Sequence, residues 1–390
     1  MKFEVKTSMI ESKTIVGRLG RLVEFTEDNT QSVCTPAYMI YTRAGHIPHL
    51  TWHVFDKYHS DLSTVSLIDL QYHSKIQRMR CWCIKFLQNS GKLAFTSYHM
   101  DQLSAQECGF NKCSSVSIWS KGGRQDISPA SLKVALNAIR PHSYSTPFDY
   151  DTSRDCKNKR MIKSIERTID WCDQLCSEKD DDYECSPFLS LGGGFSSHYR
   201  SKLAKELCSR AYAKAFTIDL SSFSLSRPFS QAEGENLESV MTNNFDEAEV
   251  KLLLADVMTE LAPGSARMVE GPFDPHQIFT LIQLGIDIFD SSYAIWLAQQ
   301  GRGFKLTDDY PSSSSGFKVV DFNDNRYRND FTPPFDCVCY SCINYSKSYL
   351  QHLQNAKEML AQILLVVHNL QEFDKMFARL REFGEKHWIS

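Results

Sequence analysis

From residue 215 the chain reads Ala215-Phe216-Thr217-Ile218, a helical pattern over 247–261, Ala266-Arg267-Met268-Val269, a second helical pattern over 275–284, and then Ile286-Asp287-Ile288-Phe289. Short apolar runs alternating with helices are the pattern of parallel β/α units, whose strands are covered on both faces. The helix starts are marked chemically. Asp274-Pro275 supplies an N-cap followed by proline at the first helical position, and Ser128-Pro129 repeats the device ahead of Leu132, Val134, Leu136 and Ile139. Gly285 provides a stop after Leu284.

Upstream, the first 125 residues carry β-rich pieces, Ile15-Val16-Gly17-Arg18-Leu19 and Ala37-Tyr38-Met39-Ile40-Tyr41, with few helical periodicities. They read as an antiparallel lead-in and the opening strands of a barrel. Ile162, Ile165, Ile169 and Cys172 follow helical spacing, and Ser177-Glu178-Lys179-Asp180-Asp181-Asp182 breaks into a hydrophilic surface excursion. Gly192-Gly193-Gly194 lacks the Lys-[Ser/Thr] of a phosphate loop and reads instead as a close backbone approach after the strand Phe188-Leu189-Ser190-Leu191. Residues 308–327, with Ser312-Ser313-Ser314-Ser315-Gly316, read as weakly ordered, and the domain boundary is placed there.

The 390 residues carry 43 Lys+Arg against 47 Asp+Glu, a formal charge of −4, and 42% hydrophobic content, which is a globular composition. The most apolar run, 359–367, is too short to span a bilayer, so no membrane insertion is expected. Met1-Lys2-Phe3-Glu4-Val5-Lys6 alternates charge with apolar residues instead of forming a secretory apolar block, so a cytoplasmic location is expected. Thirteen cysteines without a secretory signal point to reduced thiols and raise the question of metal ligation. The net charge argues against a general polyanion binder, so any RNA contact must be local. Lys75, Arg78, Arg80 and Lys85, or Lys157, Lys159, Arg160, Lys163 and Arg167, offer it, although each set also reads as a solvated face.

The strongest chemical signal is Cys337-Val338-Cys339-Tyr340-Ser341-Cys342, in which a tight turn points three thiols at one soft cation. His368, on a helical pattern marked by Leu350, Leu353, Leu360, Leu364 and Val367, completes a Cys3His set. One structural zinc per chain, held by Cys337, Cys339, Cys342 and His368, is expected. Pro333, Pro334, Asp336 and Ser341 make burial of three unliganded thiols a poor alternative.

These residues resemble the tRNA-guanine transglycosylases, which are similar in ending with Cys-x-Cys-x-x-Cys, a long helix and a histidine before asparagine, as in Val367-His368-Asn369. Gly285-Ile286-Asp287-Ile288-Phe289-Asp290 looks like the family's Gly-[Ile/Val]-Asp-Met-Phe-Asp segment, and Phe304 after Gly301 resembles that motif's end. Thr35-Pro36-Ala37-Tyr38-Met39 with Gly45 is similar to its Thr-Pro-x-Phe-Met opening, and Asp126-Ile127-Ser128-Pro129 to its Leu-Ser-Pro helix start. The resemblance implies a (β/α)8 TIM-like barrel with the antiparallel lead-in over residues 1–310 and a zinc-binding helical subdomain over 311–390.

That family replaces guanine at the tRNA wobble position through a nucleophilic aspartate, whose place Asp290 takes by resemblance. Other parts of the site depart. The family's Thr-Asp-Ser-Gly-Gly-Phe-Gln stretch falls near Thr96-Ser97-Tyr98-His99-Met100-Asp101-Gln102, without its aspartate and glycines. Its Gly-Gly-Leu-Ala loop becomes Leu220-Ser221-Ser222-Phe223, and its Pro-Thr-Arg becomes Ala294-Ile295-Trp296, with Gln299 in place of a second arginine. Asp149 after Phe148 reads either as a retained base-recognising aspartate or as a turn residue. By this resemblance the chain looks like a noncatalytic subunit, with no catalytic residues and no cofactor beyond zinc. It would hold tRNA in a heterodimer with a catalytic paralogue, form a homodimer when alone, and rest peripherally on the mitochondrial outer membrane. The alternative is an active base-exchanging or ribosyl-hydrolysing enzyme that uses Asp290. The stripe Leu370, Phe373, Phe377 and Leu380 reads either as a partner contact or as packing back on the barrel.

Overall fold

The computed structural model describes residues 1–11, 14–23, 32–43, 46–58, 67–69, 94–96, 110–120, 123–176, 185–225, 245–312 and 316–388. The chain opens with β1 (Lys2–Glu11), β2 (Thr14–Val23) and β3 (Val33–Thr35), an antiparallel sheet as expected. It continues through β4 (Ala37–Ile40), α1 (Trp52–Tyr58), β5 (Leu67–Asp69), β6 (Ala94–Thr96), the hairpin β7 (Val116–Ser120) and β8 (Gly123–Ile127), and α2 (Pro129–Ile139). Strands and helices then alternate: β9 (Ser143–Ser145), α3 (Asn158–Cys176), β10 (Ser186–Leu191), α4 (Ser197–Cys208), β11 (Ala215–Ile218), α5 (Glu247–Glu260), β12 (Ala266–Met268), α6 (Pro275–Gln283), β13 (Ile288–Asp290) and α7 (Ser292–Gln299).

The parallel strands close into a barrel in the order β4-β5-β6-β9-β10-β11-β12-β13. The connection between β5 and β6, with Lys75, Arg78, Arg80 and Lys85, lies outside the described residues, as do 97–102, 177–182, Gly45 and 313–315. Both expected capping devices form. Asp274 and Gln277 make a capping box at α6, and Ser128 and Ser131 make one at α2.

Alternation along the strands sorts the side chains. Ala37, Met39, Phe95, Phe188, Ala215, Ala266, Met268 and Ile288 form one buried cluster, joined by Phe3, Leu22 and Val33 from the lead-in sheet. Ala37, Ala215, Ala266 and Ile288 are the first residues of their strands, so the lead-in plugs the N-terminal end of the barrel. Arg18 of β2 fastens that plug. Its Nε donates to Asp287 Oδ1 at 2.7 Å, a terminal nitrogen pairs with the other carboxylate oxygen, and the guanidinium also reaches the carbonyls of Pro263 and Ser265. Tyr38, Phe216 and Phe289 point the other way, into the larger cluster under the helices.

Past the barrel come the hairpin β14 (Arg302–Leu306) and β15 (Phe317–Asp321), then α8 (Tyr340–Asn344), α9 (Lys347–Asn355) and the 29-residue α10 (Met359–His387). The stretch expected to be weakly ordered thus contains a strand: β15 pairs with β14 from Arg302↔Asp321 to Leu306↔Phe317. Leu370, Phe373, Phe377 and Leu380 are fully buried. Phe373 meets Tyr38 edge-on at 5.2 Å, and Phe377 lies 5.0 Å from Tyr38 and 5.8 Å from Phe289, so the stripe packs back on the barrel and is not free for a partner. Trp388 closes the helix end against Gly17 and Gly384, where an added Cβ would meet its ring at 2.4 and 2.5 Å. Among the described helices none is long and apolar enough to cross a membrane.

Candidate metal centre and barrel mouth

Cys339 is the N-cap of α8 and Cys342 sits one turn on, so a single short helix aims both thiols the same way. Cys337, two residues earlier, folds back until the Cys339 amide donates to its sulfur at 3.4 Å. Ser341 Oγ donates to the Leu364 carbonyl at 2.7 Å, tying this knuckle to α10. From α10 His368 presents Nδ1 to the sulfurs of Cys339 and Cys342 at 3.5 and 3.3 Å. All four ligand atoms lie within 4.8 Å of one another.

The arrangement fits a tetrahedral ion. Ordinary zinc–sulfur and zinc–nitrogen bonds place sulfur and nitrogen about 3.6 Å apart across such a site. The ring is also oriented: Nε2 donates to the Phe304 carbonyl at 2.9 Å, which leaves Nδ1 with its lone pair toward the thiols. Phe335 stacks flat on the imidazole at 4.0 Å. Hydrogen bonding from Cys339 pushes the Cys337 thiol far below its usual range, while bonding with Cys337 pushes Cys342 far above. Thiols packed this closely repel one another when charged, and a bound cation is what would let all three ionise together. Asn369 anchors the helix beside the site, with Nδ2 donating to the carbonyls of Ala294 and Arg302 and Oδ1 accepting from the Phe304 amide.

Asp290 ends β13 at the C-terminal mouth of the barrel, where such folds carry their chemistry. It is 2% exposed, and both carboxylate oxygens are engaged. Oδ1 accepts from the Ser292 amide at 2.9 Å and from the Ser292 hydroxyl; Oδ2 accepts from the Gly271 amide at 2.9 Å. Burial raises its pKa to about 6 against the pull of these donors. In the turn after β11, Phe223 is buried and packs on Phe195 at 5.4 Å.

A family profile described as queuine tRNA-ribosyltransferase matches residues 14–383. The chain belongs to the queuine tRNA-ribosyltransferase family. It is 37% identical to the queuine tRNA-ribosyltransferase accessory subunit 2 of Caenorhabditis briggsae, over 96% of each chain. It is 36% identical to the protein of that name from Caenorhabditis elegans, over 95% of this chain and 96% of the other, and 28% identical to the one from Ixodes scapularis, over 95% of each.

Within this family frame the other sequence candidates fall into place. Asp149 is buried and clasped by Arg160, at 2.6 and 2.8 Å, and by Arg167 at 2.9 Å, with Asn111 Nδ2 at 2.9 Å. Burial opposes its charge, yet the Arg160 and Asn111 bonds prevail and hold the carboxyl below its usual range. Asp149 therefore anchors α3, and Arg160 and Arg167 are turned inward from the basic stretch; Lys157, Lys159 and Lys163 stay exposed. Ala294, Ile295 and Trp296 are buried in α7, in the apolar layer below α10. Gly193 and Gly194 do provide a close approach: both have positive φ, and Arg200 Nε donates to the Gly194 carbonyl at 2.7 Å. Sequence reading missed Lys375, which touches the Cys337 sulfur, and Glu372, which holds Lys375. Their spacing of four and seven residues from His368 puts all three on one helix face, a signal that was present.

Proposed function

We propose that this chain is the noncatalytic accessory subunit of a heterodimeric tRNA-guanine transglycosylase, which exchanges guanine for queuine at the tRNA wobble position. The observation that carries the reading is the state of Asp290. At the position where by resemblance the family has its nucleophile, the carboxylate is 2% exposed and already accepts from two backbone amides and a serine hydroxyl. Likeness to proteins named accessory subunit 2 over nearly the whole chain supports the same conclusion. The turn Leu220-Ser221-Ser222-Phe223 supports it further, because by resemblance it stands where the family has a glycine pair that lets a flat base approach the backbone, and Phe223 is buried there.

In this reading Cys337, Cys339, Cys342 and His368 hold one structural zinc. A bound zinc supplies a closed tetrahedral cross-link between the α8 knuckle and α10, with no open position for chemistry. Residues 311–390 form a subdomain seated on a barrel of residues 1–310, and the assembly works in the cytosol with a catalytic paralogue and tRNA.

The test is base exchange with labelled queuine on tRNA. The purified chain alone should give none, the catalytic paralogue alone little, and the mixture full exchange with one copy of each by native mass. Exchange by this chain alone would return Asp290 to the role of nucleophile.

A further inference from the structure

A line of charges runs from the thiols into α10. Lys375 Nζ donates to Cys337 Sγ at 3.6 Å and to Glu372 Oε1 at 2.9 Å, and Lys305 Nζ donates to the same carboxylate oxygen at 3.1 Å. The other oxygen of Glu372 accepts from the Leu306 amide at 3.3 Å. Glu372 is 1% exposed, so its position is fixed, and it holds both lysines in place from below.

A zinc ion with three thiolates and a neutral imidazole carries one net negative charge. Lys375 and Lys305 with Glu372 supply one net positive charge, so the assembled group is neutral, as a poorly solvated site requires. The three sulfurs are not equivalent. Cys339 and Cys342 are buried while Cys337 is only half-buried, and Cys337 is the sulfur that Lys375 touches. An ammonium hydrogen bond draws electron density from a thiolate and covers one of its lone pairs, and both effects lower its nucleophilicity.

We propose that Cys337 is the site at which electrophiles open the metal centre, and that Lys375, tethered by Glu372, is the positioning residue that guards it. This rests on the zinc reading above. With a maleimide, the Cys337 sulfur adds across the ring double bond: a sulfur–carbon bond forms, the metal–sulfur bond is given up, and the neighbouring carbon takes a proton from water. The thioether is neutral, so the remaining donors hold the cation weakly and a chelator removes it.

The experiment uses the zinc-loaded full chain, N-ethylmaleimide and a chromogenic zinc chelator, with peptide mapping of the order of labelling. Exposed cysteines such as Cys34 and Cys113 take label independently of the metal; among the three ligand thiols, wild type should be labelled first at Cys337, with zinc release following that label. Lys375→Met should release zinc about tenfold faster, the scale of an outer-shell contact, while Lys375→Arg, which keeps the charge, stays within about twofold of wild type. Glu372→Gln, which keeps the ammonium and loosens its tether, should also speed release, and it decides the matter if Lys375→Met does not fold. Release from Lys375→Met or Glu372→Gln at the wild-type rate, or label on Cys339 or Cys342 ahead of Cys337, overturns the proposal alone. A wild-type chain that takes up no zinc overturns the metal reading and the proposal together.

Discussion

Asp290 is the aspartate of a family motif, held in a buried setting. Removing a carboxylate from water favours the neutral acid, and burial here outweighs two amide donors and a hydroxyl to raise the pKa to about 6. In the unfolded chain an aspartate titrates near about 3.9. The stability associated with Asp290 is therefore fully present below about pH 4 and is lost as pH rises through 6. We predict that urea unfolding of wild type, compared with Asp290→Ala, shows wild type losing about 3 kcal/mol relative to the variant between pH 4 and pH 7. A difference that stays flat across that window would mean the carboxylate is solvated. The motif around Asp290 was legible in the sequence, but its burial was not, because besides the local Ser292 it depends on the Gly271 amide 19 residues upstream, past the end of β12. Asp149 teaches the same point: its partners are 11 and 18 residues further along, on a helix whose inward face no local pattern marks as cationic.

At the scale of elements, α10 has two tasks on two stretches. Its first half carries His368 and Asn369 to the knuckle; its second half lays Leu370, Phe373, Phe377 and Leu380 on the barrel. The periodicity of that stripe revealed an apolar face but not its occupant, since a helix face looks the same whether a partner or its own fold covers it. Phe377→Ala should cost about 3–5 kcal/mol in urea unfolding, because it opens a cavity between Tyr38 and Phe289. A loss of heterodimer with unchanged stability would instead place Phe377 at an interface. Chelating the metal should raise hydrogen exchange across the knuckle, residues 335–345, while residues 370–380 keep their protection through packing on the barrel. Loss of protection along the whole helix would show that the metal, not the stripe, holds α10. The β14–β15 hairpin escaped the sequence reading because its serine-rich turn looks like a linker, and only the cross-strand register from Arg302 to Asp321 makes it a sheet.

Across the whole molecule, the parallel β/α order followed from the alternation of apolar strands and capped helices that begins at Ala215 and the eight-stranded barrel from the family resemblance, whereas closure needs contacts that no sequence window contains. Arg18 and Asp287 are 269 residues apart, yet they form the buried pair that seats the lead-in sheet under the barrel. Arg18→Met should cost about 3–5 kcal/mol, because it strands the Asp287 carboxylate in the interior. A wild-type urea midpoint in that variant would show that the plug is held by Phe3, Leu22 and Val33 alone. The central claim concerns a division of labour: a nucleophile serves only where a base is held beside it and a second group handles the proton, so residues acting as one unit lose their value together. In the proposed reading, both oxygens of Asp290 are engaged and the chemistry falls to the catalytic partner. The most direct measurement is queuine exchange by the reconstituted heterodimer carrying Asp290→Ala, with zinc content and dimer mass checked on the same sample. Exchange should persist at close to the wild-type rate, while alanine at the matching aspartate of the catalytic partner abolishes it. Loss of exchange from Asp290→Ala, with zinc and dimer intact, would contradict the account.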